Sequence, residues 1–362
     1  NLAMLSQFLD KSAIHFNEDG RYRRHSLMAQ YARVRLQENS TLYTKTRECH
    51  ARYFSKFVKR LEGEFFGGQP QKAMAPFLAD LANIRFAWEW AVEHHNAEIF
   101  NDMADTFMQA FDFAGLYRDA YDLAQQAADS LLSLADPITE DVTLAKGRVM
   151  GLAGAFLFRL GEYKQSLDWC QQSMQTLEEV RPHIAYAHSF VYAGAAEFGL
   201  GDMENVVTYW QKAAKEYQAA NSEWGFMTAN SNLAEVFNAL GRYEEGKSSA
   251  EHALTLARKM HNLESIGSAS TSLAFLALQD GKYSEATQFA EEALRSHQQV
   301  GHDAHIANSL AVLAQIASKQ NNPDEARRLL EESIGILQRV GNRLYLEQRT
   351  QELNEVLTAQ NK

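Results

Sequence analysis

Proline is scarce in this chain, with five in 362 residues. Proline ends helices by removing a backbone donor, so its scarcity leaves long stretches free to be helical. Cysteine is scarcer still, with Cys49 and Cys170 alone. Two distant thiols exclude a disulfide framework and fit a reducing cytoplasm. In that compartment the sequon Asn39-Ser40-Thr41 carries no glycan. No run of 18 apolar residues occurs, which excludes a membrane-spanning helix and any membrane partnership through one. No signal peptide opens the chain and its first residue is not Met, so it reads as a piece excised from a longer protein. The motifs HExxH, CxxC and Gly-x-Ser-x-Gly are missing. The twelve histidines share no register. The pair His94-His95 has no carboxylate or thiol at ligand spacing, and adjacent helical side chains diverge by about 100°. It reads as a solvated helix end. No catalytic residue, no metal site and no enzyme activity are expected from this stretch.

Negative charge is abundant but uneven. The net charge is −11. Residues 1–60 hold 12 Lys/Arg against 5 Asp/Glu, a balance of +7, and the remainder holds 23 against 41, a balance of −18. The acidic part does not suit a nucleic-acid partner. Hydrophobic residues at 46% suffice for a large core, and Ala, Leu, Glu and Gln favour helix.

One stretch imitates a nucleotide site. GRYEEGKS, Gly241 to Ser248, satisfies G-x-x-x-x-G-K-[ST]. A phosphate-binding loop needs a buried strand before it, whereas Met227 to Leu240 carries small and apolar residues at helical spacing. The same stretch recurs at intervals of forty: GEYKQSLD at Gly161, GDMENVVT at Gly201, GKYSEATQ at Gly281 and NNPDEARR at Asn321. GLYRDAYD at Gly115 precedes Gly161 by 46, the surplus fitting a longer loop at Asp136-Pro137. Seven residues before each turn stand Gly154, Gly194, Ala234, Ala274 and Ala314; five after it stand Ser166, Val206, Gly246, Ala286 and Ala326; twelve after it stand Ser173, Ala213, Ala253, Ala293 and Ser333. Two after it come Tyr117, Tyr163, Met203, Tyr243, Tyr283 and Pro323. Gly241 is thus a turn glycine and Gly246 a packing position. The alternation predicts helix pairs, with left-handed caps at Asn221, His261, Gly301 and Gly341 closing the second helices.

These columns resemble the tetratricopeptide repeat. Its usual period is about 34, and a period near 40 also suits HEAT and armadillo repeats; the Gly-x-Tyr turn flanked by small residues decides for a longer tetratricopeptide-like unit. The resemblance implies an all-α, right-handed solenoid of about six helix pairs over residues 101–362, its first helices lining a concave groove. Counting back from each turn places Arg148, Phe158, His188, Tyr192, Phe198, Asn232, Glu235, Asn238, Phe275 and Gln315 on or near that groove. Aromatics among polar groups suit a protein or peptide ligand, although Tyr192, Phe198 and Phe275 serve equally as contacts between repeats. Of the carboxylate-clamp residues only Asn232 matches.

The first hundred residues carry a second resemblance. Phe8–Leu36, FLDKSAIHFNEDGRYRRHSLMAQYARVRL, is similar to the end of the winged-helix domain of STAND signal-transduction ATPases, and Leu78–Phe100, with Asn83, Arg85, Trp88 and Trp90, resembles the helix that opens their repeat sensors. This implies a winged-helix remnant at 1–40 and a helical arm at 41–100. His25 aligns with the family histidine that contacts ADP, while Arg24 and Ser26 stand where the family has Met and Asp. No Walker A or Walker B motif in credible context is present, so ATP or ADP is expected only in a longer parent protein. The basic run Arg21, Arg23, Arg24, Arg33 and Arg35 reads as a face that meets the ATPase core, with DNA as the rival. The sequence thus points to the sensor of a bacterial STAND regulator of transcription. The alternatives are a constitutive tetratricopeptide scaffold and, through GRYEEGKS, a nucleotide enzyme.

Overall fold

Small side chains recur every forty residues, and in the computed structural model of the chain all fifteen positions of the three columns are buried. The structure describes residues 2–17, 20–66, 70–135, 138–340 and 343–360. Two positions singled out above, the Asp136-Pro137 loop and the Gly341 cap, lie outside them.

The chain opens with α1 (Leu2–Asp10), a two-stranded antiparallel ribbon of β1 (Ile14–Phe16) and β2 (Tyr22–Arg24), and α2 (Ser26–Gln37). The long α3 (Ser40–Phe66) follows, then α4 (Pro70–Ala79) and α5 (Leu81–Glu93). In α3 the residues Ala51, Phe54, Val58, Leu61 and Phe65 are buried. Their alternating spacing of three and four marks one helical stripe.

Six helix pairs then succeed one another: α6 (Ala97–Phe113) with α7 (Tyr117–Leu132), α8 (Glu140–Arg159) with α9 (Tyr163–Leu177), and α10 (Ile184–Leu200) with α11 (Met203–Ala219). They continue as α12 (Glu223–Ala239) with α13 (Tyr243–Lys259), α14 (Leu263–Gln279) with α15 (Tyr283–Val300), and α16 (Asp303–Lys319) with α17 (Pro323–Val340). The last helix is α18 (Arg343–Gln360). Each helix packs on its sequence neighbours and each first helix on the next first helix, as in α8, α10, α12, α14 and α16. This is an all-α solenoid of the tetratricopeptide type. It exposes 18967 Å², against about 14,700 Å² for a compact protein of its mass. The excess area is that of an open coil of helices.

The turns repeat one device. Gly115, Gly161, Gly201, Gly241, Gly281 and Asn321 all have positive φ, the left-handed geometry that glycine adopts without cost. The next N–H then reaches back five residues along the helix, as in Arg242 N to Phe237 O at 2.8 Å and Glu162 N to Leu157 O at 2.9 Å. The second helices end alike at Asn221, His261 and Gly301, all left-handed. Gly241 therefore closes α12, which is a helix and not the strand a phosphate loop requires. Tyr243 opens α13, and Gly246 is buried within it.

The columns are small because the backbones are close. A Cβ on Gly154 would lie 2.5 Å from Cys170 Sγ and 3.1 Å from the Ser166 carbonyl oxygen. Serines in the columns use the same closeness: Ser166 Oγ donates to Gly154 O at 2.7 Å, Ser173 Oγ to Gly147 O at 2.6 Å and Ser333 Oγ to Ala307 O at 2.8 Å. Larger side chains build the first joint. Trp88 is fully buried, donates its indole N–H to Leu123 O at 3.0 Å and stacks on Phe107 at 4.3 Å.

The basic beginning of the chain is largely answered from within. Arg21 pairs with Asp80 at 2.8 Å, Arg47 with Glu93 at 2.8 Å, and Lys59 with Asp102 at 2.9 Å. Arg52 bonds Glu98 at 2.5 Å and Lys56 bonds Asp102 at 2.6 Å. The charge asymmetry of the sequence is therefore in part an internal seam between α3 and α5–α6, and of the basic run expected to meet an outside partner Arg21 turns inward to Asp80.

Two glycine substitutions separate packing from propensity. Gly154→Val should lower the free energy of unfolding by about 1–3 kcal/mol, because overpacking meets backbone that cannot yield. Gly63→Ala, in α3 with nothing within 4 Å of the added Cβ, should raise it by about 0.4–1 kcal/mol. Urea titrations followed by circular dichroism measure both.

Candidate functional site

The inner helices of the first pairs surround a recess of about 630 Å³ counted out to its open mouth. Arg148, His188 and Thr228 stand thirteen residues before successive turn residues, on α8, α10 and α12, and face it as a column. Gly151 and Val191, ten before, and Leu152 and Tyr192, nine before, line the next rows. Asp105, Met108 and Gln109 come from α6, and Tyr217 from α11. The far wall is aromatic: Phe66, at the end of α3, meets Trp224, at the start of α12, with ring centroids 4.7 Å apart. A long helix preceding the array thus touches its fourth pair and bounds the recess on that side.

An ion pair and an imidazole occupy the floor. Arg148 makes an ion pair with Asp105 and donates to Asn101 O at 2.7 Å. His188 Nδ1 lies 3.9 Å from the same carboxylate. Burial opposes the charge on Asp105, but Arg148 and His188 together hold its carboxyl below the ordinary value. For His188 burial dominates, Arg148 adds to it, and the imidazole is held below 6.5 despite Asp105. His183 is lowered in the same way, by burial first and Arg148 second. Burial raises the Tyr192 and Tyr217 phenols, so both are neutral hydroxyls. The recess therefore presents one saturated ion pair, a neutral imidazole and aromatic faces. No nucleophile is paired there with a base.

The remaining groove residues are spread along the array. Phe158 lies beside Tyr163, 5.9 Å between centroids, beneath the Arg159 guanidinium. Phe198 is 52% exposed. Asn232 is half-buried. Glu235 is exposed, yet the surrounding protein desolvates it and raises its carboxyl. Asn238 Oδ1 has no hydrogen-bond partner among the described residues and sits over Gly246. Phe275 is 6.3 Å from the Tyr243 ring, a contact between successive pairs. Gln315 donates to Glu352 of α18 at 3.3 Å. Three of the ten residues, Arg148, His188 and Tyr192, thus meet in one recess.

Several lining residues escaped the sequence reading. Asp105 had a signal, since it stands ten residues before Gly115, but the longer interval to the next turn hid that copy. Phe66 and Trp224 had none, because 158 positions separate them. His25 caps α2, its Nδ1 accepting from Leu27 N at 3.3 Å, and is exposed. His94 stacks on Trp90 at 4.3 Å, and His95 Nδ1 lies 2.8 Å from Ser130 Oγ. Cys170 is buried beneath Gly154, which pushes its thiol up to about 12, and Cys49 is exposed.

A tetratricopeptide repeat family model matches residues 225–299 and again 265–339, the two matches offset by one period of forty. Three solved structures show how far the likeness of fold extends. A Rap protein complexed with competence and sporulation factor has 12% identity and a TM-score of 0.51, over 87% of this chain and 98% of its own. The apo quorum sensor NprR from B. thuringiensis has 13% identity and a TM-score of 0.54, over 84% and 94%. A STAND protein with a tetratricopeptide repeat sensor from Pyrococcus horikoshii has 14% identity and a TM-score of 0.52, over 92% of this chain and 52% of its own. No curated protein matches the sequence. Among the described residues no helix is long and apolar enough to cross a membrane.

Acid should loosen the recess. A histidine lowered in the folded state binds fewer protons there than in the unfolded chain, so stability is lost as pH falls below 6.5. Each histidine can contribute at most about 1.4 kcal/mol per pH unit. Asp105, lowered as well, acts in the same direction at lower pH. Urea midpoints compared at pH 7.5 and 5.5 should fall less in His188→Gln than in the unaltered protein.

Proposed function

We propose that the array is the ligand-sensing, protein-interaction module of a STAND-type regulator, and that its recess receives an extended protein or peptide segment. The observation that carries this reading is the recess itself. It is built mainly on first helices of consecutive pairs. It joins Tyr192, Tyr217 and Trp224 to a desolvated Asp105–Arg148 pair. Tyr, Trp and Arg dominate the energetics of protein interfaces. A narrow cleft with aromatic walls suits side chains presented along a strand of peptide better than a bulky cofactor.

On this reading residues 1–40 are the end of a winged-helix domain, 41–100 an arm and 101–362 the sensor. The order α1, ribbon, α2, long helix and array supports it, as does the likeness of fold to a STAND protein along 92% of this chain. His25 would contact ADP only in a parent carrying the ATPase core. The arm is where a signal can pass, because Phe66 of α3 touches Trp224 of the array. A segment wedged between them favours one placement of the arm over another. Shifting such an equilibrium from 1:99 to 99:1 requires about 5.5 kcal/mol of differential binding, which about three anchor contacts of about 2 kcal/mol each supply.

The test is selection of displayed random peptides on the whole chain, followed by affinity measurement on variants. Tyr192→Ala and Trp224→Ala should each weaken selected peptides by about 1–2 kcal/mol or more. Asn232→Ala, on the next pair, reports whether the ligand extends beyond the recess. Peptides indifferent to both aromatic changes would refute the placement.

A further inference from the structure

The edge of the array where first helices begin follows a capping rule, and one repeat breaks it. Ser222 caps α12 by accepting from Gly225 N at 3.2 Å, and forty residues on Asn262 caps α14 by accepting from Ser265 N at 3.0 Å. The next member of the column is His302, and it makes no side-chain cap to α16. Replacing a cap residue normally weakens a helix. Here the imidazole turns to another histidine: the His302 and His305 rings lie 4.1 Å apart, edge to face. Glu264, from the first turn of α14, completes the group. One ligating atom from each of Glu264, His302 and His305 lies within 4.8 Å of the others. None of the three side chains makes a hydrogen bond or ion pair with a described residue.

We propose that Glu264, His302 and His305 form a binding site for a divalent transition metal of the zinc class, bridging the successive pairs α14–α15 and α16–α17. Two imidazoles and one carboxylate with a fourth position for water match the zinc ligand set. This donor set disfavours magnesium and calcium, which prefer oxygen donors alone. Tetrahedral zinc ligands sit about 3.4 Å from one another, closer than the present group. Glu264 and His302 are both exposed and free to close that difference by side-chain rotation.

A second observation lies behind the three. His297, at the end of α15, is 1% exposed and its ring is 5.0 Å from that of His305. Its Nδ1 is 2.9 Å from Ser309 Oγ, while Nε2 is buried with no partner among the described residues. Gly267, one turn after Glu264, leaves the space that this ring edge fills. A buried polar nitrogen without a partner is costly, and here it adjoins the proposed ligands. The N-terminal end of α16 repels a cation only weakly, by no more than about fivefold in affinity.

A bound ion would tie α14 to α16 at the loop edge and hold the angle between those two pairs. The experiment is titration of the metal-free whole chain with zinc chloride by calorimetry, with cobalt(II) as a spectroscopic substitute. One equivalent should bind, and the cobalt complex should show the visible band of a four-coordinate site. His302→Ala, His305→Ala and Glu264→Gln should each weaken binding by roughly tenfold to a hundredfold or more. Zinc should raise the melting temperature of the unaltered chain and leave that of the His302→Ala/His305→Ala double variant unmoved. Glu264→Gln, an isosteric change on an exposed side chain, keeps the test decisive if the double variant folds poorly. Absence of saturable binding, or binding unaltered in Glu264→Gln and the double variant, would overturn the proposal.

Discussion

Close approach of paired helices is the constraint on which the molecule depends. From α8–α9 onward each pair meets where the side chains are Gly, Ala or Ser, with Val206 the one exception. At Gly154 the facing Cys170 thiol, with the Ser166 carbonyl close behind, leaves no room for a methyl group. Where a column position is serine, its hydroxyl reaches the carbonyl of the opposing helix, as Ser173 and Ser333 do at matching registers. With one helix face committed to such contact, the opposite edges of the first helices fall into line. That line is the recess. Its shape is thus a consequence of residues that never touch it.

Departures from the repeat carry the chemistry. A perfect array would present the same side chain on every pair. In this chain the register thirteen before each turn reads Arg148, His188 and Thr228, and the register of Glu264 is held one pair earlier by Trp224. Columns that pack helices stay small, whereas columns that face the groove or the loop edge vary. His302 is the clearest case. It abandons a capping role that Ser222 and Asn262 keep, and it stands among other histidines instead.

Much of the architecture was legible in the sequence, for a physical reason. Turns need left-handed residues, so Gly241 and Asn221 announce themselves, and tight crossings need small residues, so the columns do too. That regularity also exposed GRYEEGKS as an ordinary joint between α12 and α13. The inward registers were readable by counting, which places Arg148, His188 and Tyr192. Less was legible of what closes the recess. Phe66 and Trp224 meet because the array curves, and curvature accumulates from small rotations that no local pattern states. The seam between Arg47, Arg52, Lys56 and Lys59 and the acids of α5 and α6 is likewise a product of tertiary packing. The cluster of Glu264, His302 and His305 joins residues from two repeats that share no column.

The central claim is that these helices coil into an open solenoid whose inner face is accessible. Small-angle X-ray scattering on the monomer tests it most directly. A compact protein of this length would have a radius of gyration of about 21 Å. The account predicts a larger value, with a distance distribution skewed to a long tail. A radius near 21 Å with a symmetric distribution would mean that the array closes on itself and that the recess is not the open inner face described above.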